Sequence, residues 1–172
     1  MEPVIAYLDK TFINFRSFAF DGPHDHGYRW VDIKRFRLST APPTDEFVLR
    51  FLISADQFAD DYAGGGMEPV AEIHGPYQVG RITPDSYEHL DATAAIGVLD
   101  GWARQHGSLP APLAKTLEEQ LYAPIRNATS LYRLKELGED AFHDFVVHGE
   151  FYELVVIDRA SSTLSLVVAA DD

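Results

Sequence analysis

Apolar positions alternate with polar ones near both ends of the chain and recur at helical spacing through its middle. Residues 11–20 (TFINFRSFAF) are rich in aromatic and β-branched side chains, with Ile13, Phe15 and Ala19 on one alternating face. Residues 28–38 set Val31 and Ile33 against Asp32 and Lys34, the period of a second strand. Asp21, Gly22, Pro23 and Gly27 supply loop chemistry between them, so the two runs are expected to pair as antiparallel neighbours. At the other end, residues 151–157 (FYELVVI) and 163–169 (TLSLVVA) flank the polar link 158–162, which predicts a β-hairpin.

The middle of the chain follows the helical period. Over residues 92–106, Ala95, Leu99, Trp102 and Ala103 share one face, with Gly107 placed to end the helix and Pro110 beyond it. A further helix is expected over residues 110–122, where Leu113, Leu117 and Leu121 fall four apart. Pro124 should interrupt it, and residues 130–137 should continue helically up to Gly138. Thr83 before Pro84 has the form of an N-cap followed by proline at the first helical position.

Residues 44–62 fit two patterns. Phe47, Val48, Phe51, Leu52, Ala55, Phe58, Ala59 and Tyr62 would make one broad helical face, but Leu49 and Ile53 would then point away from it. Ser54 with Gln57 has the spacing of a capping box. The expectation is a strand over 46–53 followed by a short helix to Tyr62. Beyond it, Gly64–Gly66 reads as a loop, and the Gly and Pro residues up to Gly80 leave room only for short extended pieces at 70–73 and 77–82. Together these elements predict a single α+β domain over residues 1–172. Its sheet is mostly antiparallel, built from the N-terminal strands and the C-terminal β-hairpin, with the central helical segment packed on one face.

Composition narrows the chemistry. The chain has no cysteine, which excludes disulfides, thiolate nucleophiles and cysteine-ligated metal. The 27 acidic against 14 basic residues give a formal charge of −13, which repels nucleic-acid phosphates and anionic lipid. No nucleic-acid or membrane partner is expected. The N-terminus Met1-Glu2-Pro3-Val4 lacks a basic leader, no apolar run is long enough to span a bilayer, and a cytoplasmic protein is expected. The acidity is uneven: residues 51–80 and 136–158 carry no Lys or Arg, whereas residues 29–37 hold Arg29, Lys34, Arg35 and Arg37.

Candidate chemistry is sparse. In an extended stretch His24 and His26 would point to the same side, as two imidazole ligands of a divalent transition metal must, with Asp21 or Asp25 able to add a carboxylate. A remote His74, His89, His143 or Glu150 would have to complete the site. His143-Asp144 and His148-Gly149-Glu150 invite a general-base reading, although adjacent residues rarely face each other. Tyr28 and Trp30, beside the histidine loop, are candidate binding residues, while Trp102 falls on the apolar face of its helix and reads as core. No G-x-S-x-G, S-x-x-K or phosphate-binding glycine motif is present, and no catalytic residue is assigned.

Three functions fit these features. The first is a non-enzymatic acidic interaction protein of the immunity or antitoxin kind, which would bind and neutralise or regulate a basic partner. The second is a small metal-dependent enzyme built on His24 and His26. The third is a small-molecule-binding domain with an aromatic-lined pocket between sheet and helices.

Overall fold

The alternating ends of the chain meet in one antiparallel sheet. The computed structural model describes residues 2–22, 25–39, 44–62, 72–143 and 149–171. Strands β1 (Ile5–Asn14) and β2 (Arg29–Leu38) pair as neighbours, with a bulge between Tyr7 and Asp9. Helix α1 (Asp45–Ile53) follows, then the two-residue strands β3 (Ile73–His74) and β4 (Tyr77–Gln78), which pair with each other. Next come β5 (Tyr87–His89) and the helices α2 (Ala92–Ala103), α3 (Ala111–Leu117) and α4 (Ala123–Arg126). The chain ends in β6 (Ser130–Leu134), β7 (Phe151–Asp158) and β8 (Thr163–Asp171). The strand order is β1-β2-β8-β7-β6-β5, so the C-terminal hairpin joins the N-terminal pair at the centre of the sheet.

Both faces of this sheet are covered. Helices α2 to α4 bury Leu99, Trp102, Leu113, Leu117 and Ile125 against Val31, Ile33, Leu154, Val156 and Val167 on the first face. On the second face, α1, Phe58 and residues 77–87 lie over Phe36, Val155, Ile157, Leu164 and Leu166. Beside them Trp30, Val168 and Ala170 pack with Tyr62. Burial on both faces explains the near-continuous apolar runs of β7 and β8.

Four segments depart from the sequence pattern, each for a local reason. The first strand runs over Ile5–Asn14 and not 11–20, because Asn14 accepts from the Arg16 N–H and turns the chain into a 3₁₀ turn at Phe15–Ser17. Residues 45–53 form a helix, not a strand. Thr44 caps it by accepting from the Phe47 N–H at 3.2 Å, and Asp45 and Glu46 lie in the first turn, where the helix dipole favours them. Val48, Leu49 and Leu52 face the core, so the outward residues are Phe47 and Phe51, each 41% exposed and packed on each other at 5.1 Å. Pro124 does not end the helical run. Residues Glu118–Tyr122 widen into a π turn, with the Ala123 N–H bonded to the Glu118 carbonyl, and this five-residue step absorbs the donor that proline lacks. Residues 130–134 are strand β6, because β7 offers a ladder from Ser130↔Ile157 to Arg133↔Leu154 that outweighs their helical spacing.

Candidate functional site

Where β2 and β7 are covered on both sides, the polar side chains of Asp32, Lys34 and Glu153 are buried and must find partners in the covering layer. Asp32 and Lys34 of β2 and Glu153 of β7 all point to the second face, on the same side as Trp30 and Phe36. Asp32 and Glu153 flank the same residue of β8, Val168. The covering segment brings Asp60, Tyr62, His74 and Tyr87 over them.

The centre of this layer is Glu153, only 3% exposed. One of its oxygens meets His74 Nε2 and the other accepts from the Tyr87 hydroxyl. His74 has no exposed surface, stacks on Phe58 with ring centroids 3.7 Å apart, and bonds the Phe58 carbonyl through Nδ1 at 2.6 Å. A carbonyl oxygen can only accept, so Nδ1 carries a proton. Nε2 and Glu153 then share one further proton, and the pair sums to zero charge whichever atom holds it. Local backbone geometry aims the ring: Gly75 follows His74 at φ +54°, and its N–H donates to the Asp60 carbonyl at 2.7 Å.

A second group adjoins the first. Lys34 donates to Asp60 at 2.7 Å and to the Tyr62 hydroxyl at 2.8 Å, and its ammonium lies 3.7 Å from Asp32. Lys10 of β1 reaches the other Asp32 oxygen at 3.2 Å. Burial pushes the Asp32 carboxyl up, against the opposing pull of Lys34 and Lys10. Burial, reinforced by the surrounding carboxylates, also holds the Tyr62 and Tyr87 hydroxyls well above the ordinary tyrosine range.

Next to Glu153 the sheet opens. The β6–β7 ladder stops at Arg133↔Leu154, while β6 stays with β5 through Leu134↔Tyr87 and β7 stays with β8 through Phe151↔Ala170. The parting strands leave a slot of about 250 Å³ that reaches both faces. Ala95, Val98 and Leu99 of α2 line it from the first face with Tyr152 and Leu154, and Tyr77, Phe142, Phe151 and Glu153 line it from the second. Arg133, Lys135 and Glu136 complete its wall. The Tyr77 hydroxyl accepts from the Leu137 N–H at 3.3 Å.

Of the residues singled out from sequence, His74 lies at the centre of the buried polar layer and Trp30 beside it, while His26 and Tyr28 lie elsewhere. His24 is outside the described residues. His26 is described: its Nδ1 accepts from the Tyr28 N–H at 3.0 Å, and its ring is edge-on to Phe20 and Tyr28. Among the described residues no group of three or more His, Asp or Glu is spaced to hold a metal ion, so the two-histidine reading rests on one described side chain. Tyr28 is 45% exposed at φ 51°, under the Arg16 guanidinium. Trp30 is 2% exposed and stacks on Tyr62, on the same side of the sheet as Lys34. Arg29 is buried beside Trp102, bonded to Gln105 at 3.2 Å and attracted to Asp171 and Glu150, so this end of the basic strand meets acidic residues from the C-terminal hairpin. Neither His74 nor Glu153 was singled out as part of a shared pair. The signal for Glu153 was available: a carboxylate inside the apolar run FYELVVI has to be matched by something.

No helix among the described residues is long and apolar enough to cross a membrane. No family model, no curated protein and no solved structure matches this chain.

Proposed function

We propose that the chain is a binding domain for a compact small molecule, received in the slot where β6 and β7 part. The observation that carries this reading is the composition of the slot wall. Aromatic and aliphatic side chains from both sheet faces converge on it, with one buried polar pair at its edge. Apolar concavities with a few fixed polar groups are the usual form of small-molecule sites.

The test is a fragment screen read by thermal shift and by amide NMR shifts, run on the wild type and on Ala95→Leu. Ala95 is buried on the slot wall, so leucine there fills the space. Fragments that stabilise the wild type should lose their effect in the variant. If no fragment shifts the wild type, or if the variant responds equally, the slot is not a binding site.

A second reading is a domain that binds a basic partner protein. It is favoured by the distribution of ion pairs. Lys10, Lys34, Arg35, Arg50, Arg81, Arg104, Arg133 and Arg159 all have acidic partners within the chain. Asp56, Glu72, Asp85, Glu136 and Glu139 are exposed, and have no ion pair among the described residues. Capture from the native host should retain a basic protein at low salt and lose it when Asp56, Glu72 and Glu136 are changed to lysine. Retention that is indifferent to these charges would remove the reading.

A further inference from the structure

Resting on the slot as the binding site, we infer that its ligand is electrically neutral, one to two rings in size, and carries a hydrogen-bond acceptor for the Tyr77 hydroxyl. Size follows from the volume. An apolar cavity of about 150 Å³ holds benzene, and this slot offers about 250 Å³, which suits a fused bicycle.

Neutrality follows from the buried charge on the wall, which is matched, and from exposed charges of both signs that nearly cancel. Glu153 and His74 share a proton between Nε2 and the carboxylate and sum to zero. Arg133 is 3.4 Å from Glu88. Lys135 and Glu136 are exposed, opposite in sign and open to screening by salt. A charged ligand would leave its hydration shell and meet no unmatched buried countercharge, only the exposed and screened Lys135 and Glu136.

The acceptor follows from Tyr77. Its hydroxyl oxygen takes the Leu137 N–H, but its own proton has no acceptor among the described residues, and the side chain is only 6% exposed. Burial pushes the Tyr77 hydroxyl above the ordinary tyrosine range, which already keeps the proton on at neutral pH. Tyr77 lines the slot, so its hydroxyl proton is available to an acceptor held there.

One bicyclic skeleton in four forms tests the inference at pH 7: indane, 1-indanone, 1-aminoindane and indane-1-carboxylate. Affinities would be measured by calorimetry, with amide NMR shifts locating each compound. Indanone should bind most tightly, at the slot, with the cation and the anion weaker by about tenfold or more. Indane should be weaker than indanone by about threefold to tenfold, the worth of one hydrogen bond. That difference should vanish in Tyr77→Phe, a variant that keeps the ring. If a charged congener binds as well as the ketone, neutrality is refuted while the slot stands. If Tyr77→Phe still prefers the ketone, the role of Tyr77 is refuted. If none of the four binds the wild type at millimolar concentration, the slot reading falls with the inference.

Discussion

Replacing Glu153 tests the shared proton directly. Leucine at this position removes the acceptor of both the His74 imidazole and the Tyr87 hydroxyl, in a layer where neither can reach water. Each stranded group costs about 1–3 kcal/mol, and removing one partner of a buried pair costs about 3–5 kcal/mol. Both routes put Glu153→Leu about 4 kcal/mol below the wild type. With a urea dependence of about 2 kcal/mol per molar, the midpoint should fall by about 2 M.

Glutamine should behave differently. Its amide can donate to His74 Nε2 while its carbonyl accepts from Tyr87. The imidazole then needs to be neutral with its proton on Nδ1, the tautomer that the Phe58 carbonyl already selects. Every buried group stays satisfied and the net charge of the pair stays zero, so Glu153→Gln should cost less than about 1 kcal/mol. Urea titrations followed by circular dichroism, with the slopes compared, measure both variants. If glutamine is as damaging as leucine, an amide does not replace the carboxylate between His74 and Tyr87, and the neutral Nδ1–H imidazole is not a form the site can hold. If leucine costs less than about 1 kcal/mol, the carboxylate is not a buried partner of His74 at all.

Three further outcomes follow from the same structure. Asp45 accepts from Arg159, Ser130 and Tyr132; burial pushes its carboxyl up, but these partners outweigh it and hold it below the usual carboxylate range. Its contribution is therefore present above the unfolded value of about 3.9 and lost as pH falls through the folded one. Asp45→Asn should flatten the acid limb of urea midpoints measured from pH 2 to 6, and an unchanged limb would contradict the assignment. Tyr62 and Tyr87, held high by burial and nearby carboxylates, should be the last tyrosines to ionise in an absorbance titration at 295 nm. An unfolded tyrosine titrates near pH 10, so stability should decline as pH rises past about 10. A single tyrosine step near 10 with unchanged circular dichroism would contradict this. In Gly75→Ala the new Cβ would sit 2.4 Å from the Phe151 ring at φ +54°. The left-handed strain alone costs about 1–2 kcal/mol, so the melting temperature should fall by several degrees; an unchanged value would mean that the turn and ring move apart freely.

Much of the architecture was legible because period follows burial. The alternation of β2, the hairpin of β7 and β8, and the leucines of α3 each report a face that is apolar in the fold. The errors came where two patterns coincided or a neighbour decided. Residues 46–53 carry enough apolar side chains for either period. The deciding signal was Thr44 ahead of two acids, an N-cap that fixes where the helix starts. For residues 130–134 no local signal decides, because the strand exists to extend β7.

The candidate site was partly legible, and the reason is a property of doubly covered strands. In a sheet with one wet face, Asp32 and Lys34 alternating with Val31 and Ile33 are simply the solvent side. The continuous run of β7 argues against a wet face, since both sets of its side chains are apolar except Glu153. Once both faces are dry, Asp32, Lys34 and Glu153 become demands for partners, and such demands can be counted from sequence. The identity of the partners cannot. They come from Asp60, Tyr62, His74 and Tyr87, in a segment of two-residue strands and single turns whose path is set by what it covers and not by its own periodicity. The slot is less legible still. It exists because β6 follows β5 while β7 follows β8, a choice between ladders that no single strand records. Its wall therefore gathers Ala95, Tyr77 and Glu153, residues with no sequence relation to each other. Binding chemistry built at a parting of strands is consequently the kind that motif reading misses.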